Sequence, residues 1–293
     1  MRIALSQIVA DPDPGANLTT VKTVVEDAAA RDARVVVLPE ATMACFGVPL
    51  GPVAEPLDGP WATAVRGIAR QARVVVVAGM FTPARDGRVT NTLLITGPEV
   101  ETHYDKIHLF DAFGFAESTT VAPGDRPVTF ELDGVTLGVA TCYDVRFPEL
   151  FRRLAADGAA AILLPASWGA GPGKVEQWEL LVRARALDST SWVLACGQAD
   201  PVTVGREPIG KAPGGVGHSM AVSPLGEVRD RLGAEPGLLV ADIDLDEVRA
   251  ARETVPVLAN RRFDSVFRDY SGDADYSGDA RADSGDARAG EAK

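Results

Sequence analysis

The chain has 293 residues, 46% of them apolar, enough to bury a sizeable core in one large domain or two smaller ones. Its net charge of −12 repels a phosphate backbone, which sets nucleic acid aside as a partner. Cys45, Cys142 and Cys196 form no Cys-x-x-Cys pair, MRIALSQIVADPDPG is too short of apolar residues for a secretory leader and VVVVAGMF is far short of a membrane span, so the expectation is a cytoplasmic protein with free thiols, no metal and no membrane partner.

In chain order, a strand is predicted over 2–8, then a helix over 17–31 behind an Asn17 cap, with Val21, Val24, Val25, Ala28 and Ala29 on one face. RVVVLPE predicts a strand at 34–40, and Pro60 opens a helix over 60–72. Further strands are expected at 73–81 and 91–97, and ETHYDKIHLF alternates as a strand that runs into a loop. VTLGVATCYD predicts a strand at 135–144, followed by a helix at 147–157 that stops at Gly158. A strand at 159–167, a helix at about 175–187 and strands at 191–198, 218–224 and 237–244 complete the set. Many of these runs are continuously apolar, as strands buried on both faces are, so the fold class is α/β. A Gly/Pro-rich loop with Arg206 and Lys211 fills 200–217.

DAAARDARVVVLPEATM and RLAADGAAAILLPASWG share one pattern, a helix, a tight turn and a strand ending in Leu-Pro. Similar βαβ units explain it without requiring duplication. From 268 the chain repeats Ser-Gly-Asp-Ala with no apolar face, which predicts a disordered acidic tail over 268–293 after a domain spanning 1–267.

Ligands of open α/β sheets gather beyond the carboxyl ends of strands. Three polar residues stand there: Glu40 after VVVLP, Cys142 after VTLGVAT, and Lys106 after ETHYD. A desolvated carboxylate exchanges protons near neutrality, and a lysine beside a thiol lowers its pKa and holds a negative oxygen, so the three supply base, oxyanion stabiliser and nucleophile. Each alone has an ordinary reading: a paired strand end, a surface cation, a packed small residue. His103, His108 and His218 lie in no catalytic signature, and Asp144 and Arg146 brace the turn after Cys142, Arg146 with the alternative of meeting a substrate carboxylate. Trp168 lines a pocket or fills core. GAGPGK at 169–174 lacks the spacing of a phosphate loop.

LPEATM, YDKIHLFDAFGFAES, TCYDVRFPEL and LPASWGAGPGKVEQWELLVRARALD, in this order and at these separations, resemble the nitrilase superfamily of carbon–nitrogen hydrolases across residues 1–265. The resemblance implies a single-domain α-β-β-α sandwich, doubled by dimerisation into α-β-β-α-α-β-β-α, with catalytic Glu40, Lys106 and Cys142. It further implies that Glu117 orients Lys106 and the substrate amide and that the Tyr143 backbone N–H joins Lys106 around the oxyanion; Arg146 and Trp168 are the pocket candidates read from the residues themselves. No metal or organic cofactor is implied. The partners expected are a small amide and a second copy of the chain, or more. Within the superfamily the chain is most like the branch of deaminated-glutathione amidase and ω-amidase, which implies hydrolysis of a small carboxylate-bearing amide through a thioester, with deaminated glutathione as the specific expectation. The alternatives are an acyltransferase that passes the same thioester to an amine, and an N-carbamoyl or aliphatic amide hydrolase of another branch.

Overall fold

Alternate residues of the central strands point into two different apolar layers, which is why those strands carry no polar face. Ile3, Leu5, Val35, Val37, Leu137, Val139, Leu163 and Leu194 meet between two sheets, whereas Ala4, Val36 and Leu38 face one helical layer and Ala140, Ile162 and Val193 face another. The computed structural model describes residues 1–262, so the expected tail at 268–293 lies outside the described residues.

The first sheet is built from β1 (Arg2–Gln7), α1 (Pro14–Ala30), β2 (Val35–Val37), α2 (Pro60–Ala72), β3 (Val75–Pro83), β4 (Val89–Thr96) and β5 (Glu101–Asp105). A hairpin of β6 (Asp111–Ala112) and β7 (Phe115–Ala116) follows, then β8 (Val121–Ala122), which pairs with β4. The second sheet contains β9 (Val128–Leu132), β10 (Val135–Val139), α3 (Pro148–Ala156), β11 (Ala161–Ala166), α4 (Lys174–Ser189), β12 (Trp192–Gly197), β13 (Met220–Val222) and β14 (Val228–Arg231). β15 (Gly237–Asp242) returns to the first sheet beside β1, and α5 (Leu245–Thr254) ends the described elements.

The two sheets run β15-β1-β2-β3-β4-β5 and β9-β10-β11-β12-β13-β14. In each, three central strands are parallel and joined through helices, and the flanking strands are antiparallel. α1 and α2 cover one outer face and α3 and α4 the other, giving the expected α-β-β-α layers. The topological repeat puts the carboxyl ends of β2, β10 and β11 at one end of the sandwich.

Local chemistry moved some boundaries. The cap of α1 is Asp13, whose carboxylate accepts from the Gly15 and Ala16 amides, with Pro14 opening the helix. Asn17 is buried inside the helix and donates to the Met43 and Asp11 carbonyls. The strand read at 135–144 stops at Val139 because Cys142–Arg146 form a 3-10 turn. Strands β9 and β14 and helix α5 carried no prediction: each buries only part of one face. Among the described residues, no helix is long and apolar enough to cross a membrane.

Candidate active site

Glu40 follows Leu38-Pro39 at the end of β2, and the next residue, Ala41, turns the chain away in the left-handed region at φ 59°. The turn fits because residue 79 of the neighbouring strand is glycine: a Cβ there would sit 2.5 Å from the Ala41 nitrogen. Lys106 continues β5, its amide donating to the Asn91 carbonyl and its carbonyl accepting from Gly124. Glu117 begins a short 3-10 turn beyond the β6–β7 hairpin.

These three side chains converge although 66 and 11 residues separate Lys106 from its two partners. The Lys106 ammonium stands 2.9 Å from Glu40 Oε1 and 2.8 Å from Glu117 Oε2, and none of the three is more than 3% exposed. Burial opposes charging the lysine, but the two carboxylates outweigh it and hold the ammonium well above its ordinary pKa. The remaining carboxylate oxygens are also met: the Asn91 amide donates to Glu40 Oε1 at 2.8 Å and to Glu117 Oε1 at 3.1 Å, the Ser167 amide to Glu40 Oε2 at 2.8 Å, and the Phe110 amide to Glu117 Oε2 at 2.7 Å. Such satisfaction is what makes a buried charge cluster tolerable.

Cys142 sits at the joint between β10 and the 3-10 turn with φ 46°, a strained conformation for a residue with a side chain. Its Sγ lies 3.7 Å from the Ser167 carbonyl, and it lines one cavity with Glu40, Lys106 and Glu117. Burial first, then the negative charge of Glu40, pushes the thiol pKa well above its ordinary value, with Lys106 pulling the other way. The lysine does lower it, as expected, but desolvation and the Glu40 charge outweigh that pull.

Asp144 fixes this turn to the β5 loop. Fully buried, it accepts from the Tyr104 hydroxyl at 2.7 Å, the Thr141 amide at 2.8 Å and the His108 amide at 3.0 Å, and His108 Nδ1 lies 2.7 Å from it. The His108 ring stacks on Phe147 at 3.7 Å. The bracing role read for Asp144 is thus visible, and His108 belongs to the brace. Tyr143 lines the cavity as the second residue of the 3-10 turn, within the first turn, where backbone N–H groups lack intrahelical acceptors.

Arg146 donates from Nη2 to Gln177 on α4 and lies 5.2 Å from the Trp168 ring centre; unlike Trp168, it is not among the residues that line the cavity. Trp168 does both things considered for it: one side lines the cavity, while the ring packs 5.2 Å from Trp178 and its Nε1 donates to the Lys174 carbonyl. The cavity is further walled by Phe46, Phe110, Phe115 and Pro213. Pro213 comes from the 200–217 loop, whose carbonyl at 213 accepts from Ser167 Oγ at 2.6 Å, so this loop forms a wall of the site.

Sequence reasoning missed Asn91, Ser167 and Lys174. Only Lys174 carried a signal, a lysine in GAGPGK next to a strand end, and it was read against a phosphate-loop template alone. Cys196 is buried between the sheets, and among the described residues all three cysteines are free.

The carbon-nitrogen hydrolase family matches residues 2–253. A hydrolase of Mycobacterium tuberculosis is 57% identical over 267 residues, 89% of this chain and 95% of that one. An omega-amidase of Xenopus tropicalis is 32% identical over 90% of this chain and 95% of its own, and a deaminated glutathione amidase of Escherichia coli is 33% identical over 80% and 87%. Among solved structures, Nit3 of Saccharomyces cerevisiae, a member of branch 10 of the nitrilase superfamily, superposes with a TM-score of 0.77 at 28% identity, over 90% of this chain and 97% of that one.

Proposed function

This chain belongs to the carbon–nitrogen hydrolase family, and from that premise we propose that it cleaves small carboxylate-bearing amides through a thioester on Cys142. The observation that carries the proposal is the convergence of one ammonium, two carboxylates and one thiol on a single buried cavity.

Amides are weak electrophiles with poor leaving groups, so both ends of the reaction need help. Glu40 takes the Cys142 proton as sulfur attacks the carbonyl carbon. The developing oxyanion accepts from the Lys106 ammonium and the Tyr143 N–H, donors each worth about 3 kcal/mol of barrier where such groups have been removed. Glu117 and Asn91 keep Lys106 and Glu40 in register. When the C–N bond breaks, Glu40 returns the proton to nitrogen and the amine departs, leaving the acyl group on sulfur. Water then gives its proton to Glu40 and attacks the thioester, releasing the acid and restoring the thiol.

The names of two relatives support an amide whose acyl part also carries a carboxylate, with deaminated glutathione as the specific candidate. The functional unit in this reading is a dimer built across the outer helices: Leu180 and Leu187, seven residues apart on α4, are 68% and 49% exposed. The test is a panel of amides, nitriles and carbamoyl compounds assayed for ammonia or amine release. Carboxylate-bearing amides are expected to lead, and Cys142→Ala is expected to remove the activity while the protein stays folded. Full turnover by Cys142→Ala would end the proposal.

A further inference from the structure

We propose that Lys174 receives the carboxylate of the substrate and thereby selects anionic amides over neutral ones; this rests on the amide-hydrolase reading above. Lys174 is the first residue of α4, and its side chain lines the cavity that contains Cys142 as well as an adjoining outer chamber walled by the 208–215 segment. Its ammonium lies 3.8 Å from the ring centre of Phe113 and 5.5 and 5.8 Å from those of Trp168 and Phe110. Aromatic faces hold a cation in place but do not accept its three N–H bonds as an anion does.

Among the described residues, no carboxylate pairs with Lys174, in contrast to Lys106, which is shared between two. The inner end of the cavity therefore holds two carboxylates against one ammonium, a net negative charge that repels any anionic substrate. A second ammonium at the outer end reverses that bias locally and separates the two ends of the substrate: amide toward the thiol, carboxylate toward Lys174. Burial and, after it, the nearby Arg146 lower the Lys174 pKa, so the ammonium has an electrostatic deficit that an arriving anion relieves. Arg146 itself is tied to Gln177 through Nη2 and does not line the cavity, which leaves Lys174 as the cation beyond Lys106 that reaches it, with Lys211 farther out on the wall of the outer chamber.

The experiment compares glutaramate with valeramide, an uncharged amide of similar length, in wild-type, Lys174→Met and Lys174→Arg proteins. The ratio of kcat/KM values, charged over neutral, is expected to fall about 100-fold in Lys174→Met, mainly through KM, and to recover in large part in Lys174→Arg. A second arm needs no turnover: glutarate is used to protect Cys142 from iodoacetamide, and the half-protecting concentration is expected to rise at least about tenfold in Lys174→Met. A ratio and a protection curve that both stay at wild-type values would overturn the assignment of Lys174. Lys174-dependent protection in a protein that turns over no amide would instead uphold it and remove the amidase reading.

Discussion

The two halves of the sandwich have one topology and opposite chemical endowments. Aligned through their shared Leu-Pro, Leu38-Pro39 in the first half and Leu164-Pro165 in the second, Glu40 corresponds to Ala166, and the strand registers place Cys142 opposite Ile8. The first half supplies the charges, Glu40, Lys106 and Glu117; the second supplies the thiol, the Ser167 amide that holds Glu40, and the Trp168–Lys174 wall. The positions that match the acid and the thiol are apolar and packed into the helical layers. A repeated scaffold thus places two carboxyl-end turns face to face, and the site exists because each half kept one reactive group and none of the other's. Neither half contains a complete set.

Breaking the pairing across this seam has the largest expected effect. Cys142→Ala is expected to reduce amide hydrolysis by at least about 10⁴-fold, since losing one member of a catalytic unit costs nearly as much as losing all, with little change in the unfolding curve. Lys106→Met acts on stability as well: it leaves Glu40 and Glu117 buried and facing one another, so chemical denaturation should show a loss of about 3–5 kcal/mol unless one carboxyl takes up a proton. Because Cys142 and Lys106 both have raised pKa values when folded, from ordinary values of 9.0 and 10.5, their contribution is complete below pH 9 and is lost as pH climbs through the folded values. Unfolding free energy should accordingly fall above about pH 9, and Cys142→Ala should make that fall shallower. The smallest effect belongs to the opposite end of the seam, where Arg34 of the first half meets Asp133 of the second at 2.8 Å with both side chains about 40% exposed. Arg34→Ala should cost about 0.2–1 kcal/mol, and added salt should shrink it.

Most of the elements that position the site were legible because buried parallel strands must be apolar on both faces, so β1, β2, β3, β10, β11 and β12 announce themselves as largely apolar runs rich in Val, Ile, Leu and Ala. Two of the edge strands, β9 and β14, did not: β14 reads VRDR and is mostly in solvent, and the helix α5, which buries only Val248 and Ala251, was missed as well. Glu40, Lys106, Glu117 and Cys142 were picked out from strand ends and from the resemblance of their segments, and they do meet. Their convergence could not be read from spacing, since it depends on how two separate sheets stack. The same reason hides Asn91, which looks like any polar residue at a strand start until its amide is found between two carboxylates. The pull of the lysine on the thiol was legible, but the depth of burial that outweighs it was not, because a sequence does not show depth.

The most direct measurement is the mass of the protein quenched in acid during turnover of a slow amide or the corresponding ester, followed by mapping of the modified peptide. An acyl group on the peptide that carries Cys142, absent from Cys142→Ala, is the predicted result. Steady hydrolysis with no acyl-protein at any time, undiminished in Cys142→Ala, would contradict the account.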